Sequence, residues 1–478
     1  MTVDAMTRLP LLLSLLFLYL GTANEVNCYE EKRVLSLQTF QWKQQSGAPS
    51  CLSRKSRSEN GVTILEMKHR DYCSGKIIDW NKKLQKRLIL DDFHVQALQS
   101  RRKTKASAGV AEVSEAQIPL TSGIALETLN YIVTIELGGR NMPVIVDTGS
   151  DLTWVQCQPC KSCYNQKEPL FDSSTSPTYQ SVFCNSSACE TLHFASWNSG
   201  NCGSNQPTCN YVVNYGDGSY TRGELASEHL SLGTAAMNNF LFGCGRNNKG
   251  LFGGTSGLMG LGRSDLSVIS QSSALFGGVF SYCLPSTDAG ASGSLVMGGD
   301  SSVFRNSTPI SYTKMVPNSQ LSNFYFLNLT GISIGGVDVQ APNFGEDGIL
   351  LDSGTVITRL APSVYKAVKA EFLKQFSGFP PAPAFSILDT CFNLSGYEEV
   401  NIPNIKLQFE GNADLNVDVT GIFYFVKTDA SQVCLALASL SYEDEIGIIG
   451  NYQQKNQRVI YDTKQSTLGF AGETCGST

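Results

Sequence analysis

The chain has 478 residues, of which 42% are hydrophobic and only 16% charged, with a formal net charge of −6. That length exceeds what one small core accommodates and asks for two or more lobes. The low charge density, with abundant Gly, Ser, Thr and Asn, fits a β-rich secreted protein and argues against a cytosolic helical one.

The charge is split along the chain. Residues 25–116 carry a net +6 and residues 117–478 a net −12. An acidic body repels phosphate, which argues against nucleic-acid binding by that part. A basic segment on an acidic body also implies complementary charges that separate when carboxylates protonate, although a basic disordered tail would have the same composition.

At the N-terminus, Arg8 precedes an apolar run from Leu9 to Leu20, and Gly21-Thr22-Ala23 follows with small residues. The run is too short to span a membrane, so residues 1–23 read as a signal peptide. The expected location is extracellular (apoplast) or vacuolar. Residues 24–116 read as a propeptide, with a small regulatory domain as the alternative. Within them Leu84, Leu88, Leu90, Phe93, Val95 and Leu98 recur at helical spacing, ahead of the basic cluster Arg101-Arg102-Lys103-Thr104-Lys105. Processing is expected between Lys105 and Gln117.

From Tyr131 the texture changes to short alternating strands ending in glycine turns. Examples are Tyr131–Leu137, Tyr211–Tyr215, Phe240–Gly243, Phe324–Leu329 and Arg458–Asp462. The clearest helix signal runs from Pro362 to Phe376, with apolar residues at Val364, Val368, Phe372 and Phe376. The pattern implies a mainly β architecture.

Fifteen cysteines are present, twelve of them between Cys157 and Cys475. In a secreted chain those twelve imply six disulfides, whereas Cys28, Cys51 and Cys73 cannot all pair among themselves. Cys157, Cys160 and Cys163 have a metal-like spacing, but only His193 is nearby and the compartment is oxidising, so a stapled loop is expected and no metal. Sequons at Asn185, Asn306, Asn328 and Asn393 are glycosylation candidates.

Two stretches carry chemistry. Val144-Ile145-Val146 leads into Asp147-Thr148-Gly149-Ser150, and Gly348-Ile349-Leu350-Leu351 leads into Asp352-Ser353-Gly354-Thr355, 205 positions later. Each is an apolar strand delivering an Asp to a turn of hydroxyl residues around a Gly. A lone Asp-Thr-Gly is usually a surface turn; two copies in matching context are far more specific. Brought face to face, two carboxylates share one proton. The ionised one can take a proton from water and the protonated one can donate to a carbonyl, as the paired carboxyls of aspartic proteases do.

With both turns in view, the chain from about Tyr131 to Cys475 resembles pepsin-type aspartic endopeptidases, and within them the plant nepenthesin-type group. Gly257–Gly262 and Ile446–Gly450 match the apolar-Gly elements that answer each Asp turn, and Tyr215-Gly216-Asp217-Gly218-Ser219 resembles the flap. The resemblance implies a bilobal, mainly β pepsin-like fold, with two β-barrel-like lobes (117–310 and 311–478) and the active-site cleft between them. It implies Asp147 and Asp352 as the catalytic pair, Thr148 and Ser353 bracing the two loops, and Ser150 and Thr355 bonding the outer carboxylate oxygens. It also implies a hydrogen bond between Tyr215 and Trp154. No cofactor is implied. The implied partners are polypeptide substrates and the protein's own propeptide, around a monomeric body. The implied disulfides are Cys157–Cys160, Cys163–Cys244, Cys184–Cys209, Cys189–Cys202, Cys283–Cys475 and Cys391–Cys434. Leu65–Arg70 resembles the propeptides of an atypical plant subgroup that includes a chloroplast-nucleoid DNA-binding protease. Three functional readings follow: an acid endopeptidase made as a zymogen, a catalytically idle binding or inhibitor protein on the same fold, and a DNA-binding protease whose basic run from Lys82 to Lys105 would carry the contact.

Overall fold

In the computed structural model the chain is mainly β-structure. The structure describes residues 32–37, 56–59, 61–69, 80–106 and 131–475, apart from short stretches between 197 and 206 and residues 216–217, 251, 287–291, 300–306 and 346–347. The expected signal peptide, Cys28, Cys51, Cys73, Asn306, and Gly216 and Asp217 of the expected flap lie outside the described residues.

The first Asp turn sits on three strands. Tyr131–Leu137 turns at Gly138-Gly139, both at positive φ, and pairs antiparallel with Arg140–Asp147. Arg140–Asp147 then lies parallel to Gly257–Gly260, which is flanked on its other side by Trp154–Gln158. Glycines end that inserted strand because the chains cross closely. A Cβ at Gly257 would stand 1.9 Å from the Trp154 carbonyl oxygen, and one at Gly260 2.2 Å from that of Asp151.

The second half repeats the design. Ile349–Leu351 runs parallel to Ile448–Ile449, and Thr358–Leu360 passes on the far side of the latter. The helix Pro362–Gln375 begins with its proline, where the missing N–H costs nothing, and buries Val364, Tyr365, Val368 and Phe372.

A shared sheet joins the halves. Its strands run in the order Ser56–Glu59, Val62–His69, Gly293–Met297, Val279–Cys283, Gln457–Asp462, Thr467–Gly472 and Ser311–Val316. Val62–His69 belongs to the segment read as propeptide, where only helix was expected. It buries Val62, Thr63, Ile64, Leu65, Met67 and His69, and its last two residues also pair with Tyr131–Leu137. Farther out, Lys32–Ser36 pairs with Glu399–Pro403.

The expected leader helix spans Trp80–Ala106. Leu84, Leu88, Leu90, Val95 and Leu98 are buried, but Phe93 is 47% exposed. The buried stripe follows positions 84, 88, 91, 95 and 98, spaced by three and four, and Phe93 falls on the opposite side of that stripe. Leu84 and Leu88 pack with Val356, Ile357, Leu388 and Tyr452, whereas Val95 and Leu98 pack with Leu321, Phe324 and Ile446.

Four of the expected disulfides are wrong. The structure pairs Cys157–Cys244, Cys160–Cys163, Cys184–Cys202 and Cys189–Cys209, in place of Cys157–Cys160, Cys163–Cys244, Cys184–Cys209 and Cys189–Cys202. Burial decides the exchange. Cys157 lies on a core strand running parallel beside the strand of Cys244, and both are fully buried, whereas Cys160 and Cys163 share a half-buried turn beyond Pro159. Likewise Cys189, on the inner face of helix Ser187–Ser196, meets buried Cys209, leaving the more exposed Cys184 and Cys202 to each other. Cys283–Cys475 and Cys391–Cys434 complete the set.

Candidate active site

The two Asp turns meet at the junction of the halves. Thr148 and Ser353 exchange bonds across it: the Thr148 backbone N–H donates to Ser353 Oγ at 3.1 Å, and the Ser353 N–H donates to Thr148 Oγ1 at 2.9 Å. The two hydroxyl oxygens lie 3.2 Å apart. Each turn is held by bonds that match its counterpart. Asp147 accepts from the Gly149 N–H at 2.9 Å and from the Ser150 hydroxyl at 2.6 Å. Asp352 accepts from the Gly354 N–H at 2.8 Å and from the Thr355 hydroxyl at 2.7 Å.

The glycines leave room for two carboxyl groups. A Cβ at Gly149 would stand 2.9 Å from Asp352 Oδ1 and 3.2 Å from Asp147 Oδ1; one at Gly354 would stand 2.7 Å from Asp147 Oδ1 and 3.2 Å from Asp352 Oδ1. Both inner oxygens therefore face one small space. Burial, together with the neighbouring Asp352 charge, pushes the Asp147 carboxyl above its ordinary value. Asp352 is also pushed up by burial, but the hydrogen bond and charge of His94, with the Thr355 and Gly354 hydrogen bonds, together outweigh that and hold it below the ordinary value. The two carboxyls are thus shifted in opposite directions, so that on acidification Asp147 takes up its proton before Asp352.

His94 belongs to the leader helix. Its Nε2 lies 3.0 Å from Asp352 Oδ2. Burial lowers the imidazole, but the Asp352 bond and the charges of Asp352, Asp147 and Asp91 raise it to about 9. One turn earlier, Asp91 is buried against the same loop. It accepts from the Val356 N–H at 2.5 Å, the Ile357 N–H at 3.1 Å and the Arg359 guanidinium at 2.9 Å. Burial nonetheless pushes its carboxyl above the ordinary value, against the pull of Arg359 and the two N–H groups. Farther along, the Gln99 side chain exchanges bonds with the Ile446 backbone at 2.8 and 2.9 Å. The helix covers the second carboxylate and the strand edges around it.

The remaining expected residues fall nearby. Trp154 is fully buried, and its indole N–H donates to Tyr215 Oη at 2.7 Å, with Phe252 edge-on to both rings. Asn185 is exposed. Asn328 Nδ2 lies 3.4 Å from Glu410, and the Asn393 side-chain oxygen accepts from the Ser395 N–H and hydroxyl.

Sequence reasoning missed His94, Asp91, Arg359 and Asp151 as members of this neighbourhood. Asp151 is buried and accepts from the Ser264 N–H at 2.7 Å and from Asn323 Nδ2 at 2.9 Å, tying the first loop to the start of the second half. Burial pushes its carboxyl up to about 7. The sequence carries no distinctive motif for the helix contacts: Asp91 and His94 stand three places apart in an otherwise basic segment, and their partners lie in the second half of the chain.

The chain matches two family models, described as xylanase inhibitor N-terminal over residues 131–299 and xylanase inhibitor C-terminal over residues 324–472. It is 42% identical over 395 residues to an aspartyl protease family protein of Arabidopsis thaliana, covering 81% of each chain. It is 36% identical to aspartyl protease AED1 of the same plant, covering 89% of each. Nepenthesin-1 of Nepenthes gracilis is 34% identical, over 73% of this chain and 78% of that one. Among solved structures, edgp aligns with a TM-score of 0.58 at 22% identity, covering 73% of this chain and 93% of that chain. Soybean basic 7S globulin aligns at 0.57 and 21%, covering 73% and 95%. These two likenesses concern the fold alone.

Proposed function

The chain belongs to the pepsin-like plant aspartyl protease family, and from that premise we propose that it is an acid endopeptidase made as a zymogen, with Asp147 and Asp352 as its catalytic pair. The observation that carries this reading is the shared space between the two inner carboxylate oxygens, each carboxylate held by its own glycine N–H and hydroxyl.

In the proposed reaction a water molecule sits between the carboxyls. The ionised carboxylate takes a proton from it while the protonated carboxyl donates to the scissile carbonyl oxygen. Water adds to the amide carbon without a covalent enzyme intermediate. The two apparent pKa values belong to the pair, so activity lies between them, in acid. In this reading Tyr215, bonded to Trp154, closes over the substrate.

In this reading the leader helix keeps the enzyme idle. It covers the dyad and engages Asp352 through His94, so substrate and helix cannot occupy the cleft together. Twelve disulfide-bonded cysteines and the N-terminal apolar run support passage through the secretory pathway. The alternative of an idle inhibitor is favoured by the descriptions of the two family models alone; both carboxylates and all their hydroxyl partners are present.

The test is cleavage of a protein substrate after acid treatment, with and without a statine-type inhibitor of aspartate dyads. Inhibitable cleavage below about pH 5 is expected, and Asp147→Asn should abolish it while keeping the thermal transition. Cleavage that resists the inhibitor, or survives Asp147→Asn, would refute the assignment. Absence of cleavage from pH 2 to 6 would favour the inhibitor reading.

A further inference from the structure

The loop that carries Asp352 continues directly into a second polar arrangement. The Val356 and Ile357 N–H groups and the Arg359 guanidinium converge on one carboxylate, that of Asp91. Arg359 is 1% exposed, and its other terminal nitrogen donates to the Ile357 carbonyl at 2.9 Å. Among the described residues, Asp91 is the one carboxylate that pairs with it.

Asp91 belongs to the leader helix, while its three donors belong to the body. If the helix departs, the body retains a guanidinium and two aligned backbone donors without their acceptor, on a surface the helix had covered. A planar guanidinium beside two N–H groups is well suited to a carboxylate. The donors start four residues after Asp352, and one helix reaches both places, His94 at the dyad and Asp91 at the donors. Val356 and Ile357, now packed under Leu84 and Leu88, provide an apolar floor for the rest of the chain.

We propose that Val356, Ile357 and Arg359 form a substrate subsite for a carboxylate, which Asp91 fills in the full-length chain as a stand-in for an Asp or Glu side chain of the polypeptide substrate. The proposal rests on the peptidase reading, and it makes that peptidase selective for acidic sequences along the second half of its cleft. Arg359 acts here as a specificity-determining residue remote from the bond that breaks.

The experiment uses acid-treated protein and a set of peptides with both ends blocked, in which Glu replaces Gln at one position at a time around a single cleavable bond. At one position on one side of that bond, Glu should raise kcat/KM over Gln by on the order of tenfold or more. A companion set with free C-termini separates side-chain from terminal carboxylates; a preference seen only there would overturn the side-chain assignment. The Glu-to-Gln ratio should collapse to about one in Arg359→Gln. Because that variant leaves Asp91 buried without its cation, the double variant Asp91→Asn/Arg359→Gln is measured beside it, with circular dichroism reporting folding. A ratio near one at every position in the unaltered protein, or a preference that survives in the double variant, would overturn the subsite alone. Cleavage of no peptide at all would overturn the peptidase reading and the subsite with it.

Discussion

Gly149 and Gly354 are as much a part of the candidate site as the carboxylates they separate, because a methyl group at either position would intrude on both. Gly149→Ala should displace the dyad and reduce kcat by on the order of a hundredfold, measured on the acid-treated enzyme. Asp147→Asn removes a titrating group outright, and a loss of about a thousandfold or more is expected. Trp154→Phe keeps most of the buried ring but takes away the donor to Tyr215. The loss of one hydrogen bond of about 1 kcal/mol should lower kcat/KM by roughly fivefold with little change in folding. The two Asp turns were legible in the sequence because their partners are local, each Asp being bonded by residues two and three places farther on, whereas the Trp154–Tyr215 pair, 61 places apart, came only through the family resemblance. Asp91 and His94 were not, because their partners lie more than 250 positions away and neither residue has a distinctive local motif.

At the scale of the element, the leader helix has a pH window. His94 is held above its ordinary value, so its contribution to docking is fully present below about pH 6.5 and is lost as pH rises through about 9. Asp352 is held below its ordinary value, so its contribution is present above about pH 4 and is lost as pH falls further. Asp91, held above its ordinary value, works in the opposite sense and favours docking on acidification. The acid-labile contact is therefore the His94–Asp352 pair. The protection factors of amides in the 84–99 segment, corrected for the intrinsic pH dependence of exchange, should be high at pH 6 and fall below about pH 4. In His94→Ala that acid step should shrink, with faster exchange already at pH 6. Protection unchanged at pH 3 in the unaltered chain would show that this pair does not hold the helix. The helix itself was legible from its apolar spacing. The strand Val62–His69 was not, because nearly all of it is buried and the alternation that marks a half-exposed strand is largely missing.

Over the whole molecule, the carboxyl that bridges the halves adds a further acid dependence. Asp151 is raised to about 7 and stays protonated as pH climbs from 4 toward 7, whereas in the unfolded chain it would ionise near 4. Its contribution to stability is thus complete below about pH 4 and is lost as pH rises through 7, a change of a few kcal/mol. The melting temperature should fall across that interval, and Asp151→Asn should flatten the fall. The mainly β class and the repeated Asp turns were legible in the whole chain, as strand periodicity and internal duplication. The disulfide connectivity was not, since spacing does not record which cysteine of a strand or turn faces inward. Cys157 and Cys160 stand three places apart, one fully buried and the other on a half-buried turn.

The strand Val62–His69 lies between two neighbours in the sheet that joins the halves, and a short connection leads from it to the helix over the dyad. If the chain is the zymogen proposed above, a cut between Lys105 and Gln117 would sever it without diluting the helix from the body. The helix remains tethered at an effective concentration on the order of millimolar, well above that of the protein itself. In that reading nicking and activation are separate events. A nicked molecule at neutral pH should still elute as one species, idle and independent of protein concentration, and should become active only when acid or denaturant extracts the strand.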